Sequence, residues 1–336
     1  MSRAVEAVYL IEASPFLREA QKNLLCGERE ELIPAGGGHS CTSKFSRIPI
    51  IWYEDFSFVP KRKNAFPFII AHEFFDALPI HAFQRRGPVW QEFLVTTAPR
   101  TGWTEPKDGV STLMTGDNKP EFVLKLSRTL TRHAALLPSI SYRYSHLNHA
   151  TGTTIEVSLE ALSLVEKISQ TIGIAGAGAA LVIDYGTTDT IPTQTLRGIR
   201  GHKFCSPFRE PGGVDLSADV DFTALAEQAT CASGNVEVHG PVLQGAFLGM
   251  LGVKERVDVL KDLVARSQGA GSREKIAAIE KSYDRLVSAS AGGMGQVYKA
   301  LAIIPESGGR KPVGFGGSVS WESRNQRERT ILYGCR

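Results

Sequence analysis

A chain of 336 residues, of which 42% are hydrophobic, can form one large domain or two ordinary ones with a substantial core. Its net charge of +3 is near neutral, and its Lys and Arg residues form no basic stripe with interleaved aromatics, which gives nucleic-acid binding little support. Apolar runs stay shorter than a membrane span, and the widely spaced cysteines without a CxxC pair do not indicate a structural zinc site.

Strands and helices are predicted to alternate from the start of the chain. Residues 8–11 predict a buried strand that ends at Glu12, and Ser14-Pro15 predict the cap and first turn of a helix through about residue 25. Residues 33–43 predict a loop, and further strands are predicted at residues 48–52 and 66–70.

A second set of elements is predicted beyond an irregular insertion at about residues 89–153, which includes antiparallel strands near Phe93. An amphipathic helix at 159–172, behind a Ser158 cap, leads into a buried strand at 180–183. The glycines between them precede their strand, so they predict a helix-to-strand turn and not a nucleotide-binding loop. A long loop is predicted at 187–221, a late strand is considered near Leu301, and helices are predicted at 222–228, 253–265, 273–287 and 294–300.

The stretch AHEFFDALPIH, residues 71–81, combines histidines and acids directly after a predicted strand. A zinc protease site needs His-Glu-x-x-His, but Asp76 stands four residues after His72, so the spacing argues against a metal there. Glu73 and Asp76 follow the end of the strand, where open α/β sheets bind ligands. They are either capping and exposed acids around core phenylalanines or two carboxylates that hold a cation or accept a proton.

Glu12 also ends an early strand. An acid in that place commonly accepts hydrogen bonds from a ribose diol in sheets of this type, and the alternative is a solvated charge that leads into the next helix. The alternation of strand and helix, with acids at strand ends, predicts an α/β fold with a doubly wound parallel sheet.

Four segments in order, AHEFFDALPIHAFQ, ALVIDYG, TLRGIRGHK and PGGVDLSADVDFTAL, together resemble the MidA family of S-adenosylmethionine-dependent methyltransferases. The resemblance implies a Rossmann-like methyltransferase fold with an inserted or appended, mainly helical region. We therefore expect a cofactor domain at residues 1–190, with its insertion at about 89–153. A loop-rich and helical substrate or partner region is expected at residues 191–336, packed on the same domain.

The same resemblance implies a protein-arginine N-methyltransferase that uses S-adenosylmethionine and no metal. Its expected partner is an iron–sulfur-protein subunit of NADH dehydrogenase, complex I, symmetrically dimethylated on an arginine during assembly in the mitochondrial matrix. The alternative is a non-catalytic complex I assembly chaperone that has lost cofactor binding.

Residue roles follow from the match to the family's motifs. Glu73 and Asp76 are the implied catalytic acids, with Asp184 as a weaker candidate behind them. The implied cofactor-binding residues are Glu12, Asp55, Phe56 and His72, the last of which replaces the family's usual asparagine.

One family feature has no match in this chain. The methyltransferase sheet normally begins with a strand and a glycine-rich loop, whereas this sequence starts at the next strand, which ends in Glu12. The sequence therefore predicts a chain truncated at its N-terminus, which would also explain why it lacks a targeting sequence, or one without cofactor binding. Two strand edges are then expected to lack a partner in the sheet interior, which is costly for their backbone groups.

Overall fold

The computed structural model describes residues 4–98, 121–140, 142–145, 150–208, 210–267, 271–290 and 292–317. The chain divides into two compact units, Met1–Ala65 and Phe66–Arg336. The sequence predicts a different kind of division, near residue 190, between a cofactor domain and a substrate or partner region. That division of roles stays a prediction. No helix within the described ranges is long and apolar enough to cross a membrane.

The first unit packs one helix against a small sheet. Its elements are β1 (Val8–Ile11), α1 (Pro15–Leu25), β2 (Ile33–Ala35), β3 (Gly38–Thr42) and β4 (Pro49–Tyr53). The sheet has the order β1-β4-β3-β2, in which β1 and β4 are parallel and the other pairs antiparallel. Trp52 is fully buried in the core of this unit and donates a 2.9 Å hydrogen bond from its indole nitrogen to Gln21 of α1.

The predicted start of α1 is confirmed by its cap. The Ser14 hydroxyl accepts a 3.3 Å hydrogen bond from the backbone nitrogen of Leu17, and Pro15 occupies the first turn. The cap satisfies one of the amide groups that a helix start leaves without an internal partner. β1 spans the predicted residues, and β4 lies one residue beyond the predicted strand.

The loop predicted at residues 33–43 is wrong, because these residues form the β2–β3 hairpin. Gly36 and Gly37 adopt φ values of +55° and +87°, as a two-residue turn that matches the strand twist requires. A Cβ at Gly38 would lie 2.2 Å from the Trp52 carbonyl oxygen, so glycine there allows β3 to approach β4. The glycines that suggested a loop therefore form the hairpin turn and allow the close contact between β3 and β4.

The second unit is built around a mixed sheet. Its strands are β5 (Phe68–His72), β10 (Ala179–Thr187), β14 (Val220–Asp221), β15 (Val236–Leu243) and β16 (Tyr298–Pro305). β10 pairs parallel with β5 and β14 and antiparallel with β16, which pairs antiparallel with β15. Residue 72 at the end of β5 therefore lies beside residue 183, in the middle of β10.

Helices pack on this sheet and on one another. They are α4 (Leu159–Ala175), α5 (Phe222–Ala232), α6 (Gln244–Met250), α7 (Val253–Arg266) and α8 (Ser272–Val287). α4 buries Val165, Ile168 and Ile172, which recur at the spacing of one helix face. Each fully buried side chain of this size contributes roughly 1.5–3 kcal/mol of apolar transfer free energy. The amphipathic pattern and the Ser158 cap predicted α4 correctly.

A second sheet includes two strands of the insertion predicted at about residues 89–153 and the strands on either side of it. Its strands are β6 (His81–Arg86), β7 (Val89–Thr97), β8 (Phe122–Leu126) and β9 (Thr154–Val157), in the antiparallel order β8-β7-β6-β9. The short helices α2 (Arg132–Leu136) and α3 (Tyr142–Ser145) lie between β8 and β9 in the chain. Phe83, Trp90 and Ile155 belong to the buried core of this region.

Two predicted elements beyond residue 186 need correction. The predicted loop at 187–221 contains a three-stranded antiparallel sheet of β11 (Arg197–Arg200), β12 (Lys203–Cys205) and β13 (Asp215–Ser217). The predicted helix at 294–300 is wrong, because β16 begins at Tyr298 and runs between β10 and β15. A short apolar run such as residues 300–304 does not by itself distinguish a buried strand from a helix.

β1 in the first unit and β5 in the second are parallel strands with an open side. Among the described residues, β1 pairs with β4 alone, and β5 pairs with β10 alone. On β5 the side chains of Phe68 and Ile70 are 77% and 74% exposed, an unusual state for large apolar residues of a parallel strand. These are the two strand edges that the sequence predicts to lack a partner, whereas truncation itself stays a prediction.

The glycine turn between α4 and β10 confirms the predicted helix-to-strand connection and allows a matched test of stability. Gly176 and Gly178 adopt φ values of +65° and +88°, but a Cβ would meet open space at Gly176 and the Pro67 carbonyl oxygen at 2.1 Å at Gly178. We expect Gly176→Ala to lower the free energy of unfolding by about 1 kcal/mol through backbone strain alone. Gly178→Ala should cost roughly 1–3 kcal/mol more, because the β5 backbone must also move.

Urea denaturation of the two variants beside the unmodified chain measures this difference. Equal destabilisation by the two variants would contradict the close contact between Gly178 and the start of β5.

Candidate active site

The predicted acids lie at the end of β5, where the chain turns sharply. The backbone nitrogen of Glu73 donates a 3.0 Å hydrogen bond to the carbonyl of Ile183 on β10. Glu73 itself has a φ of 48°, in the left-handed region that favours glycine. A side chain held in this conformation costs of order 1 kcal/mol, so the surrounding contacts must hold the turn in place.

Asp184 supplies those contacts. Its side chain is fully buried, and one carboxylate oxygen accepts hydrogen bonds from the backbone nitrogens of Phe74, Phe75 and Asp76 at 3.2, 3.0 and 3.3 Å. The other oxygen accepts from the backbone nitrogen of Tyr185 at 2.9 Å. Asp184 therefore positions the loop that carries the two predicted catalytic acids.

Burial and, secondly, the neighbouring charge of Asp76 raise the pKa of Asp184 to about 7, against the opposing effect of the backbone hydrogen bonds. A carboxyl group with this pKa changes charge near neutral pH. The loop is therefore held by a group whose protonation depends on pH in the physiological range.

Each predicted catalytic acid accepts a hydrogen bond from a tyrosine. The Tyr298 hydroxyl donates to Glu73 at 2.8 Å, and the Tyr185 hydroxyl donates to Asp76 and also contacts the Ser217 hydroxyl. Tyr185 and Tyr298 are directly opposite on β10 and β16, and their rings meet edge to face with centroids 5.3 Å apart. Glu73 and Asp76 are therefore linked through two tyrosines in contact.

The two tyrosines stay neutral at physiological pH. Burial and the hydrogen bond to Asp76 raise the pKa of Tyr185 to about 12. Burial and the hydrogen bond to Glu73 likewise raise the pKa of Tyr298 well above its usual range. Both phenols therefore remain donors to the carboxylates beside them.

A guanidinium group already lies on one of these rings. The Arg197 guanidinium carbon is 4.7 Å from the centroid of Tyr185, and its Nη1 pairs with Asp219 at 2.7 Å. Burial opposes the charge of Arg197, but the hydrogen bond and charge of Asp219 raise the arginine pKa on balance. The arrangement shows that this aromatic surface accommodates a planar cation beside carboxylates.

The two acids differ in how far they are exposed to solvent. The Glu73 side chain is 47% exposed, whereas the Asp76 residue is only 9% exposed and is further fixed through its carbonyl, which accepts a 2.9 Å hydrogen bond from Ala218. The His72 side chain is also half exposed, with its Nε2 4.0 Å from a Glu73 carboxylate oxygen. Glu73 is thus open to a ligand, with Asp76 lying deeper.

The remaining predicted site residues lie in the first unit. Glu12 follows β1 and is partly buried; its oxygens accept hydrogen bonds from the Ser14 backbone at 2.9 Å and from Gln21 at 3.4 Å. Asp55 is exposed and accepts from the Ser57 backbone at 2.8 Å. Phe56 is buried. Their cofactor roles stay predictions.

Sequence reasoning missed the tyrosines and Arg197. Tyr185 stands in the ALVIDYG segment next to Asp184, so its place directly after the strand predicted at 180–183 was a usable signal. Tyr298 falls inside the helix that was wrongly predicted at 294–300, and only the pairing of β16 with β10 brings it to Glu73.

The pKa of Asp184 gives a pH-dependent test. An aspartate whose folded pKa is raised from 3.8 to about 7 stabilises the folded state at low pH, and this contribution is lost as the pH rises towards 7. We expect the loss of stability caused by Asp184→Asn to be roughly 2 kcal/mol larger at pH 5 than at pH 7.5.

Urea denaturation of both proteins at the two pH values provides the comparison, and taking the difference between variant and unmodified chain removes titrations that they share. The same loss at both pH values would show that Asp184 stays ionised throughout this range.

Comparisons with known proteins extend this description. A model of the family described as "Putative S-adenosyl-L-methionine-dependent methyltransferase" matches residues 1–242. The mitochondrial protein arginine methyltransferase NDUFAF7 of Danio rerio is 33% identical over 287 residues, which cover 83% of this chain and 59% of that protein. The Homo sapiens protein of the same name is 33% identical over 310 residues, which cover 90% of this chain and 60% of the relative. This chain thus spans about 60% of the length of these curated relatives.

Solved structures share the fold. A Burkholderia thailandensis protein crystallised with S-adenosyl-homocysteine superposes with a TM-score of 0.59 at 19% identity, over 94% of this chain and 66% of that one. A native crystal structure from the same organism gives a TM-score of 0.59 at 18% identity, over 96% of this chain and 70% of that one. The predicted α/β fold class is confirmed.

Proposed function

Because this chain belongs to that S-adenosyl-L-methionine-dependent methyltransferase family, we propose that it methylates an arginine side chain of a protein with S-adenosylmethionine as donor. The observation that carries the proposal is the pair of carboxylates, Glu73 and Asp76, each held by a tyrosine hydroxyl at the end of β5. The names of the relatives, protein arginine methyltransferases, support arginine as the acceptor.

The chemistry requires the protein to prepare a poor nucleophile. Bound S-adenosylmethionine supplies an electrophilic methyl group on a sulfonium sulfur. Arginine stays protonated in proteins, with a pKa above about 12, so its nitrogens attack only as a proton leaves. Carboxylates bind a guanidinium through paired hydrogen bonds and take the proton as the nitrogen–carbon bond forms and the carbon–sulfur bond breaks.

Glu73 and Asp76 can each accept further hydrogen bonds from a substrate. An ionised carboxylate offers about four lone-pair sites, and one tyrosine hydroxyl occupies one of them on each acid. We assign Glu73, the more exposed acid, to grip the substrate guanidinium and accept its proton. Asp76 supplies the second negative charge that localises the positive charge of the arginine.

Cofactor contacts are proposed for Glu12, Asp55, Phe56 and His72. Within the part of the chain that the structure describes, the Glu12 carboxylate receives hydrogen bonds from Ser14 and Gln21 alone. Its remaining acceptor sites suit a ribose diol. Asp55 and Phe56, which follow β4, are proposed near the adenine, with the buried Phe56 ring holding the backbone there. His72 is proposed to contact the cofactor through its backbone, at the end of β5.

We also propose the compartment in which the chain acts and the protein that it methylates. The relatives are named mitochondrial, which supports a mitochondrial site of action, proposed here as the matrix. We propose an arginine of an iron–sulfur-protein subunit of NADH dehydrogenase, symmetrically dimethylated during assembly of complex I, as the target.

The second candidate is an assembly chaperone without methyl transfer. It is favoured by apolar surface on α7, where the side chains of Val259 and Leu263 are each 58% exposed, and by the open, apolar edge of β5. Exposed apolar surface of this kind is typical of sites that bind proteins. Measurement of cofactor binding separates the two candidates, because the chaperone needs none.

Neutral replacement of each acid tests the catalytic assignment. We expect Glu73→Gln and Asp76→Asn to lower methyl transfer to the iron–sulfur subunit at least about 100-fold, since a positioned proton acceptor contributes that much or more. Calorimetric titration should show that S-adenosylmethionine binds both variants within roughly threefold of the unmodified chain, because the charge removed faces the arginine.

Glu255→Gln is the matched control, since this acid lies in the first turn of α7. Within the described residues, Glu255 makes no contact with the proposed site. Equal loss of cofactor binding in both site variants would show that Glu73 and Asp76 bind the cofactor or support the fold instead. A folded, unmodified chain that binds no S-adenosylmethionine would favour the assembly chaperone.

Tyr298→Phe tests the support of Glu73. The change removes a 2.8 Å hydrogen bond to a carboxylate and leaves the ring contact with Tyr185 in place. Hydrogen bonds to charged groups contribute about 1.5–3 kcal/mol, so kcat should fall roughly 10-fold to 100-fold with little change in cofactor affinity. Tyr283→Phe on α8 serves as the control, and an unaltered kcat in Tyr298→Phe would exclude a role for this hydroxyl.

A further inference from the structure

Two imidazoles and a carboxylate meet on elements that the proposed methyl transfer does not use. They belong to His81 on β6, Glu92 on β7 and His133 on α2. The Nδ1 atoms of His81 and His133 lie 2.8 and 3.3 Å from the same oxygen, Oε1 of Glu92. One ligand atom from each residue lies within 4.8 Å of the others.

We propose that His81, Glu92 and His133 bind a divalent transition-metal ion, with Zn²⁺ as the best match to the ligands. Two imidazole nitrogens and one carboxylate oxygen form a ligand set that zinc uses in proteins, with a fourth position left for water. This inference concerns a site separate from the methyl-transfer proposal, and neither requires the other.

The spacing of the ligand atoms suits an ion of this size. Zinc–nitrogen and zinc–oxygen bonds of about 2.0–2.2 Å in a tetrahedron place neighbouring ligand atoms about 3.4 Å apart. The observed separations of 2.8 and 3.3 Å from Glu92 are shorter than or close to this value, so small side-chain rotations admit the ion. The two imidazole rings are tilted by 49° with centroids 4.1 Å apart, which brings both to one side of the carboxylate.

Glu92 is oriented for this role by Thr131. The Thr131 hydroxyl donates to Oε2 of Glu92 and also accepts from the backbone nitrogen of Ala134, where it caps α2. Oε2 is thereby engaged, and Oε1 is directed towards the two histidines. A ligand held by an outer hydrogen bond in this way is typical of metal sites.

The burial of Glu92 also favours a cation. Its side chain is only 6% exposed, and its Oε1 faces both imidazole nitrogens. Buried charged groups are generally paired or bound to a metal, so a cation at this place would compensate the burial of the carboxylate.

The site is accessible from solvent. The His133 side chain is 47% exposed, whereas His81 is 20% exposed, so an ion can enter past His133 and keep a water ligand on that side. A bound ion would connect α2 to β6 and β7. Stabilisation of this helix against the sheet is the expected consequence, because a ligand that binds only the folded state raises its stability.

Zinc titration of the chelator-treated chain tests the proposal. Competition with a fluorescent zinc chelator should give one Zn²⁺ per chain, with at least a tenfold weaker affinity in His133→Ala and in Glu92→Gln. His202→Asn is the matched control, because it removes an imidazole from the β11–β12 turn while asparagine tolerates the local φ of 61°. This control should bind zinc like the unmodified chain.

Cobalt(II) substitution identifies the ligands independently of affinity. The unmodified chain should show the visible absorption of a four- or five-coordinate ion with nitrogen and oxygen ligands. It should show no intense near-ultraviolet thiolate band. The visible absorption should be lost in His133→Ala. His133 is half exposed and Thr131 still caps α2, so this variant should unfold at the same temperature as the metal-free unmodified chain.

Three results would overturn the assignment: absence of stoichiometric zinc binding, zinc binding that His133→Ala leaves unchanged, and a cobalt spectrum dominated by thiolate. Zinc should also raise the Tm of the unmodified chain and leave that of His133→Ala unchanged. An equal rise in both proteins would place the ion elsewhere.

Discussion

The geometry of the candidate active site depends on the buried carboxylate of Asp184. The chain leaves β5 in a sharp turn, and the amides of Phe74, Phe75 and Asp76 then have no strand partner. One Asp184 oxygen accepts from all of them, which avoids the cost of leaving buried amides without acceptors. Hydrogen bonds to a charged group are worth about 1.5–3 kcal/mol each, enough to offset the strained backbone of Glu73.

β10 brings the remaining parts of the site together. Its parallel neighbour β5 delivers Glu73 and Asp76, and its antiparallel neighbour β16 delivers Tyr298 directly opposite Tyr185. β10 thus fixes the loop through Asp184 and supports Asp76 through Tyr185, whereas Tyr298 of β16 supports Glu73. The cost is a carboxyl group buried near a like charge, which explains why the Asp184 pKa rises to about 7.

Two acidic sites in the second unit differ in what surrounds the carboxylate. Glu73 and Asp76 are held by neutral phenol donors beside aromatic faces, an environment suited to a planar organic cation. Glu92 is faced by two imidazoles, whose nitrogens are themselves metal ligands. The partners of each carboxylate, and not the acid itself, therefore distinguish a site for a guanidinium group from a site for a metal ion.

The sequence by itself determined the elements whose signals are local. Apolar runs followed by acids predicted β1, which ends just before Glu12, and the first part of β10, which continues past the predicted end at residue 183 to Thr187. The serine caps predicted where α1 and α4 begin. Motifs pointed to Glu73 and Asp76, although their catalytic role stays a proposal. Periodicity and capping succeed here because neighbouring residues alone decide them.

Only the tertiary structure decided which distant residues meet. Tyr298 reaches Glu73 across 225 positions because β16 is a central strand, a fact hidden in an apolar run that also suits a helix. The hairpin at Gly36 and Gly37 depends on contact with β4, and His133 reaches Glu92 only when α2 packs beside β7. Such pairings are set by strand order and packing, which local sequence patterns do not record.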